Sequence, residues 1–337
     1  MRIHTIDYKD DTSLLYLPDK LKFYLANKKT VKLAELICEG KSLEEVVQIF
    51  PDIVPSLYES VHNTLKVKNR EIKSEVTEEW IRYLPRLVIH ISNSCNLKCK
   101  YCYAHGGNYL SEKGMMSLEL LDKILDSFYT IFDKIDAINL FGGEPSLNIP
   151  AIERVAKYIS DNNIDTQIGM ITNGTLVTDK LASLIAEYNI NVTFSVDQKD
   201  MQDILRPYTN DQGTHTRIKA NAEKLKKISD QPSHLEVVYT KEHVNRGVSI
   251  VDVLKQIRSD FGKLPVHLTP VQTDDLTYKL EDEDAFMQSV DDVFANADLD
   301  VESDYSFTAR IISSLKNKNI RNNFCPAGFG TVSISVK

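Results

Sequence analysis

From Arg86 onward, six apolar, β-branched segments recur between helical stretches, and this alternation leaves the chain few folds to choose from. The segments are Leu87–Ile91, Ala137–Phe141, Gln167–Thr172, Asn191–Val196, Leu235–Tyr239 and Val266–Thr269. The clearest helix between them places Leu121, Ile124, Leu125, Phe128, Ile131 and Phe132 on one face, at the i, i+3, i+4, i+7 spacing of a buried stripe. Repeated strand–helix units build a parallel sheet with helices packed outside it. Six units fall short of the eight that close a full barrel. The expected fold is therefore α/β, a partial (βα)6 TIM-like barrel over residues 76–300. In such barrels the functional groups sit on loops at the C-terminal ends of the strands.

Four sequences fall at those ends. The loop after the first strand carries Cys95-Asn-Leu-Lys-Cys99-Lys-Tyr-Cys102. Gly142-Gly143-Glu144-Pro145 follows the second strand, Thr172-Asn173-Gly174 ends the third, and Ser195-Val196-Asp197 ends the fourth. The cysteine spacing, C-x3-C-x2-C, is neither a zinc-finger pair nor a ferredoxin run of four. Three thiolates can hold three irons of a cubane and leave the fourth iron open to a small molecule that chelates through an amine and a carboxylate. A Cys3His zinc site completed by His105 is the competing reading on ligand type. In the Gly-Gly turn, residues without side chains allow close approach and expose backbone carbonyls as acceptors.

The cysteine loop, with Tyr101 just before its last cysteine, resembles that of the radical S-adenosylmethionine (radical SAM) superfamily. Gly142-Gly143-Glu144-Pro145 resembles the superfamily's GGEP motif. The resemblance implies a [4Fe-4S] cluster on Cys95, Cys99 and Cys102, with SAM on the open iron. It implies that Gly142, Gly143, Glu144 and Pro145 meet the SAM amino group. It also implies that Asn173 and Ser195 lie near the ribose or carboxylate, that Asp197, in a Ser-x-Asp motif, belongs to the cofactor-binding set, and that Arg206 takes the carboxylate, which suits a guanidinium fork. Tyr101 or Tyr103 would pack on the adenine. Asp197 is followed by Gln198 where the family pattern continues with glycine, so its loop departs from that pattern.

The first 75 residues read differently. Extended segments at Ile3–Tyr8, Ser13–Leu17 and Lys22–Leu25 precede helices at Thr30–Cys38, from Ser42 to about Phe50, and Val54–Val67. Ser42 and Glu45 have the spacing of a capping box. This order suggests a small winged-helix-like α+β module, and residues 33–47 resemble the PqqD-like leader-recognition element of peptide-modifying enzymes. Cys38 lies on the apolar face of its helix and reads as core.

At the other end, Asn323-Phe324-Cys325-Pro326-Ala327-Gly328 resembles the opening of a SPASM extension over residues 301–337, with Cys325 as a metal ligand. Thr331–Lys337 alternates like a half-buried strand but has no partner strand beside it in sequence, which suggests a truncated chain. Auxiliary [4Fe-4S] clusters are expected only if the C-terminus is longer.

Five cysteines in 337 residues and no apolar leader point to a reducing compartment, and the cytoplasm is the expected location. A formal charge of −8 argues against a nucleic-acid partner, and no stretch approaches the ~20 apolar residues of a membrane span. Taken with the resemblance, the expected function is a radical SAM oxidoreductase that installs crosslinks, thioether in kind, in a ribosomally made peptide. Its partners would be a precursor peptide with a leader and an electron donor such as flavodoxin or ferredoxin. A formylglycine-forming sulfatase maturase and a non-catalytic leader-binding chain are the alternatives. The catalytic base is not readable.

Overall fold

A computed structural model of the chain describes residues 3–9, 11–66, 82–281, 291–296, 298, 299, 305–317 and 330–336. The chain divides into two compact units, Met1–Glu75 with Arg310–Phe324, and Val76–Ala309 with Cys325–Lys337.

The smaller unit begins with the antiparallel strands β1 (His4–Lys9), β2 (Thr12–Leu17) and β3 (Lys22–Asn27), in the order β1-β2-β3. Helices α1 (Lys28–Cys38), α2 (Leu43–Ile49) and α3 (Pro55–Leu65) follow. Leu15 and Leu17 of β2 pack with Leu33, Ala34 and Ile37 of α1 and Leu65 of α3 in one apolar core. Ser42 and Glu45 form the reciprocal capping box, which supplies partners to two backbone donors at the start of α2. Cys38 packs against the same core, so its reading as a core residue holds.

The larger unit is built on a seven-stranded sheet in which every pairing is parallel. Its six consecutive strands are β4 (Tyr83–Ser92), β5 (Lys134–Gly142), β6 (Gln167–Thr172), β7 (Asn191–Ser195), β8 (His234–Tyr239) and β9 (Val266–Pro270). Between them run α4 (Leu118–Ile131), α5 (Ile149–Asp161), α6 (Asp179–Glu187), α7 (Lys199–Leu205), α8 (His215–Ser229), α9 (Lys241–Asn245) and α10 (Ile250–Phe261). Helix α11 (Ser306–Asn317) precedes the last strand, β10 (Thr331–Ile334).

Strand alternation assigns each face its task. Leu87, Ile89 and Ile91 of β4 are fully buried in the core shared with the helices, a gain of about 1.5–3 kcal/mol for each side chain. The intervening residues Val88 and His90 keep some exposure. Side chains at the loop–helix junctions fix where each helix starts. Ser117, Asn148, Thr178 and Ser249 each accept a hydrogen bond from a backbone amide of the first turn they precede. Asn148 does more. Its buried Nδ2 donates to the carbonyls of Ile91 at 2.8 Å and Met116 at 3.0 Å, which fastens the exit from β4 to the start of α5.

One expectation is corrected. Strand β10 does have a partner: it pairs in parallel with the outer side of β4, Val332 opposite Leu87 and Ile334 opposite Ile89. That partner is remote in sequence, which is why the strand looked unpaired from its neighbours alone.

Candidate active site

Two backbone segments approach each other at the C-terminal ends of β4 and β5, and glycine makes the approach possible. Gly142 has φ +136°, and a Cβ there would lie 2.1 Å from the Ser92 carbonyl oxygen; one on Gly143 would lie 2.4 Å from the Ser94 oxygen. With no side chain between them, Gly143 N donates to Ser92 O at 2.7 Å and Glu144 N to Ser94 O at 2.8 Å. Gly107 closes the other flank, where a Cβ would sit 2.5 Å from Gly143 Cα and 3.1 Å from Cys95 Cβ. The glycine pair is therefore required first by its contact with the cysteine loop.

The cysteine loop is also held from the far side. Leu97 bridges Tyr208, Lys98 N donates to Pro207 O at 3.0 Å, and Lys100 N donates to Leu205 O at 2.8 Å. This strand-like stretch turns Leu97 and Tyr101 inward, with Cys99 half-buried between them, and leaves Lys98 and Lys100 exposed. A third brace comes from β6. Asn173 Nδ2 donates to Asn96 Oδ1 at 2.9 Å and to Cys95 Sγ at 3.8 Å, while Asn96 Nδ2 donates to Thr175 Oγ1 at 2.8 Å.

Between these braces lies a cavity of about 280 Å³. Cys95, Cys99 and Cys102 form part of its wall, as free thiols. Gly142, Gly143 and Glu144 add the β5 end, Asn173 the β6 end, and Ser195 the β7 end; Tyr101 and Arg206 also line it. Burial pushes the Cys95 thiol up to about 12 and raises that of Cys99, against the pull of nearby Arg206. Such thiols ionise when a bound cation compensates the charge, as iron does.

The donor set fits an iron–sulfur cubane better than a single ion. Among the described residues, no three His, Cys, Asp or Glu side chains are gathered as a single metal ion requires. His105, the fourth ligand of a zinc reading, is exposed and does not line the cavity. A cubane spaces its thiolates more widely than one ion does, and three thiols on one wall leave room for a ligand opposite.

Several expected site residues have internal partners. The Glu144 carboxylate is fully buried, a state that raises its pKa. It accepts hydrogen bonds from Ser146 N at 2.9 Å, Thr172 Oγ1 at 2.5 Å and Asn173 N at 2.7 Å. It thereby clamps the Gly-Gly turn to the end of β6. Pro145 is buried at the start of a short 3-10 turn and does not line the cavity. Asp197 does not line it either. It is fully buried, accepting from Tyr101 Oη at 2.7 Å and Val238 N at 3.3 Å. Burial holds the Tyr101 pKa well above the ordinary phenol range, so the phenol keeps its proton and donates it to Asp197. Arg206 Nη1 donates in turn to Tyr101 Oη at 3.1 Å, while its Nε is buried without a hydrogen-bond partner. That unpaired donor marks where an anionic group can dock. Tyr103 is 63% exposed at the cavity rim, and Cys325 lies outside the described residues.

Sequence reading missed Glu236 of β8, which lines the same cavity. The signal was present. Leu235, Val237 and Tyr239 are buried in the core shared with the helices, and the acid alternates with them at the level of Ser195.

Residues 89–243 match the family model of the Radical SAM superfamily. A 129-residue stretch is 36% identical to the uncharacterized protein MJ0907 of Methanocaldococcus jannaschii, covering 38% of this chain and 43% of that protein. Over 177 residues the chain is 28% identical to the cysteine-type anaerobic sulfatase-maturating enzyme of Clostridium novyi, covering 49% of this chain and 47% of that enzyme. The chain thus spans less than half the length of these two relatives. The solved structure of native anSMEcpe with bound AdoMet and Cp18Cys peptide matches with a TM-score of 0.54 at 21% identity, over 63% of this chain and 59% of that one. At that identity the likeness is one of fold. No helix among the described residues is long and apolar enough to cross a membrane.

Proposed function

From the radical SAM region at residues 89–243, we propose that the chain reductively cleaves S-adenosylmethionine and turns the resulting radical on a peptide, installing a crosslink of thioether type. The observation that carries this reading is the shared cavity: three cysteines, a Gly-Gly turn, Asn173, Ser195 and Arg206 meet at the ends of parallel strands. A [4Fe-4S] cluster on Cys95, Cys99 and Cys102, with SAM on its open iron, would supply the 5′-deoxyadenosyl radical after one-electron reduction.

The protein's own groups do the positioning. Arg206, with a free Nε, takes the SAM carboxylate. The backbone around Gly142 and Gly143, with the Glu144 carboxylate behind it, faces the ammonium. The aliphatic and aromatic wall, including Tyr101, Phe141 and Ile171, excludes water where the radical would form.

The small unit is the candidate leader site. β3 is an edge strand, and its Phe23 and Leu25 are 44% and 66% exposed, so an extended peptide could add to the sheet. A SPASM-like extension opening at Asn323 would make Cys325 a ligand of an auxiliary cluster. A flavodoxin or ferredoxin would deliver the electron, in the cytoplasm.

Formylglycine formation is the second reading, favoured by the likeness to the sulfatase-maturating enzyme. One experiment separates the two. The anaerobically reconstituted protein is incubated with SAM, reductant and a cysteine-containing precursor peptide deuterated at the acceptor carbon. Crosslinking predicts deuterium in 5′-deoxyadenosine and a peptide that keeps its sulfur and is lighter by one deuterium from the carbon and one hydrogen from the thiol. Formylglycine predicts an aldehyde and loss of sulfur. No 5′-deoxyadenosine at all would overturn both.

A further inference from the structure

A second cleft, of about 750 Å³, opens beside the cysteine loop, apart from the cavity that the thiols line. Its lining includes Asn96, Tyr208, Asn210, Gln212, Thr216 and Arg217, and no carboxylate is among its lining residues. Asn96 follows Cys95 directly, ~3.8 Å away in Cα spacing, and its side chain is held by Asn173 and Thr175. Arg217, in the first turn of α8, is exposed and has no ion-pair partner among the described residues. The cysteine loop adds two cations. Lys98 pairs at 2.6 Å with Asp211, in the 208–213 turn whose other residues line the cleft. Lys100 is exposed and has no ion-pair partner among the described residues.

Charge and access together indicate the occupant. The chain carries a formal charge of −8, so a cleft with an unpaired cation and no carboxylate in its lining runs against the overall sign. An acidic partner, repelled by the rest of the surface, is drawn to such a place, because complementary charges steer encounter. In the proposed reaction the cavity holds the cofactor and its mouth admits the peptide, so any further partner has to approach the loop from outside. Leu97 and Tyr101 point inward and are buried, whereas Lys98 and Lys100 face out on either side of Cys99. The partner that must reach the cluster without entering the cavity is the electron donor. Asn96 offers it a bonded route from the cleft wall to Cys95.

We propose that the cleft beside Asn96 and Arg217 is the docking surface for an acidic one-electron carrier protein, of flavodoxin or ferredoxin type, which is oxidised by one electron as the cluster is reduced by one. This rests on the cluster reading above. The test mixes the cluster-loaded protein with a fully reduced flavodoxin and follows the appearance of the flavin semiquinone by stopped flow. At low salt Arg217→Glu should slow the reaction by roughly 10-fold and Lys100→Gln by about 2–3-fold. Both differences should shrink below about 2-fold near 1 M salt, where the screening length falls to ~3 Å. Lys227→Glu makes the same charge change as Arg217→Glu on the same helix, ~15 Å away along its axis. It should leave the rate within about 2-fold of wild type. Photoreduced deazaflavin, a small neutral reductant that needs no docking, should reduce wild type and all three variants alike, read as the paramagnetic resonance signal of the reduced cluster. A wild-type rate for Arg217→Glu at low salt would overturn the proposal. So would equal slowing by Lys227→Glu, which would make net charge the cause. Slowing of Arg217→Glu with deazaflavin would overturn it too, by placing the defect in the cluster itself. A wild-type protein in which deazaflavin reduces no cluster would overturn the underlying reading instead.

Discussion

Asn173 joins the end of β6 to the cysteine loop, its Nδ2 donating at 2.9 Å to Asn96 Oδ1 while also reaching Cys95 Sγ at 3.8 Å. Its Oδ1 accepts from Thr175 N and Thr175 Oγ1, so the side chain is fixed at both ends. The loop that carries the thiols is thus held by a residue at the end of β6, two strands away from the β4 strand that launches it. Asn173→Ala should still take up iron and sulfide, but should lose the cluster several-fold faster to a chelator. The decay of its visible absorbance is the measurement, and a rate equal to wild type would refute the bracing role.

The glycine contacts give a sharper expectation. A Cβ at Gly142 meets a backbone oxygen at 2.1 Å, and neither strand end can yield without breaking the Gly143–Ser92 hydrogen bond. The position also has φ +136°, which strains any residue but glycine. Gly142→Ala should destabilise the larger unit by about 3 kcal/mol or more, beyond what most point substitutions cost. Denaturant unfolding would report it. Gly40, with φ +89° but nothing within 4 Å, should tolerate alanine at a cost of about 1 kcal/mol.

Tyr101 links two buried charged groups, donating to Asp197 and accepting from Arg206. Tyr101→Phe keeps the ring packed against Met201, Leu205 and Val271 but removes the hydroxyl. One Asp197 oxygen then loses its donor inside the protein, at a cost of about 1–3 kcal/mol. Stability should fall by that amount in chemical denaturation. A Tyr101→Phe protein as stable as wild type would show that Asp197 draws its main support elsewhere.

Much of this arrangement was readable in the sequence, for physical reasons. Strand β6 matches its expected limits because Gln167–Thr172 alternates cleanly between turn signals, and α2 starts where Ser42 and Glu45 announce it. Local signals of that kind do not report long-range choices. Nothing near Thr331 indicates that β10 will pair with β4. Nor does Ser195-Val196-Asp197 reveal which acid faces the cavity. The buried phenol of Tyr101 captures Asp197, and the register of β7 on β8 brings Glu236 beside Ser195 instead. The glycine pair was recognisable as a motif, but its need to pass the backbone of the cysteine loop appears only in three dimensions.

Acid should weaken one remote element of the barrel selectively. Asp260, at the end of α10, has a side chain only 8% exposed, and it accepts from Lys219 Nζ at 2.9 Å, Gln256 Nε2 at 2.9 Å and His215 Nε2 at 3.1 Å. Burial alone would raise its pKa, but these donors and charges outweigh it and hold the carboxylate below the usual range. A depressed folded-state pKa contributes stability above the unfolded pKa of about 3.9, and this is lost as pH falls through the folded value. Asp260→Asn should therefore be less stable than wild type by about 1 kcal/mol or more near pH 7. The gap should narrow as pH falls below about 3.9 and through the lower folded-state value. A gap that stays constant between those pH values would show that the charge contributes nothing.

The cysteines supply the last expectation, because the chain carries its own control. Cys95, Cys99 and Cys102 line the cavity, whereas Cys38 packs against the apolar core of the small unit, where burial raises its thiol pKa. If three thiolates hold the cluster, replacing any one of them with alanine removes a ligand no neighbour can replace. His105 is exposed, and Asn173 offers an amide. Each of Cys95→Ala, Cys99→Ala and Cys102→Ala should then fail to retain four irons and four sulfides per chain and should yield no 5′-deoxyadenosine above background. Cys38→Ala should keep both and lose at most about 1–2 kcal/mol of stability, the cost of a small core truncation. Iron and sulfide analysis, electron paramagnetic resonance of the reduced protein and product chromatography read all four variants. Wild-type cleavage of SAM by Cys99→Ala would remove the basis for a three-thiolate cluster in this cavity.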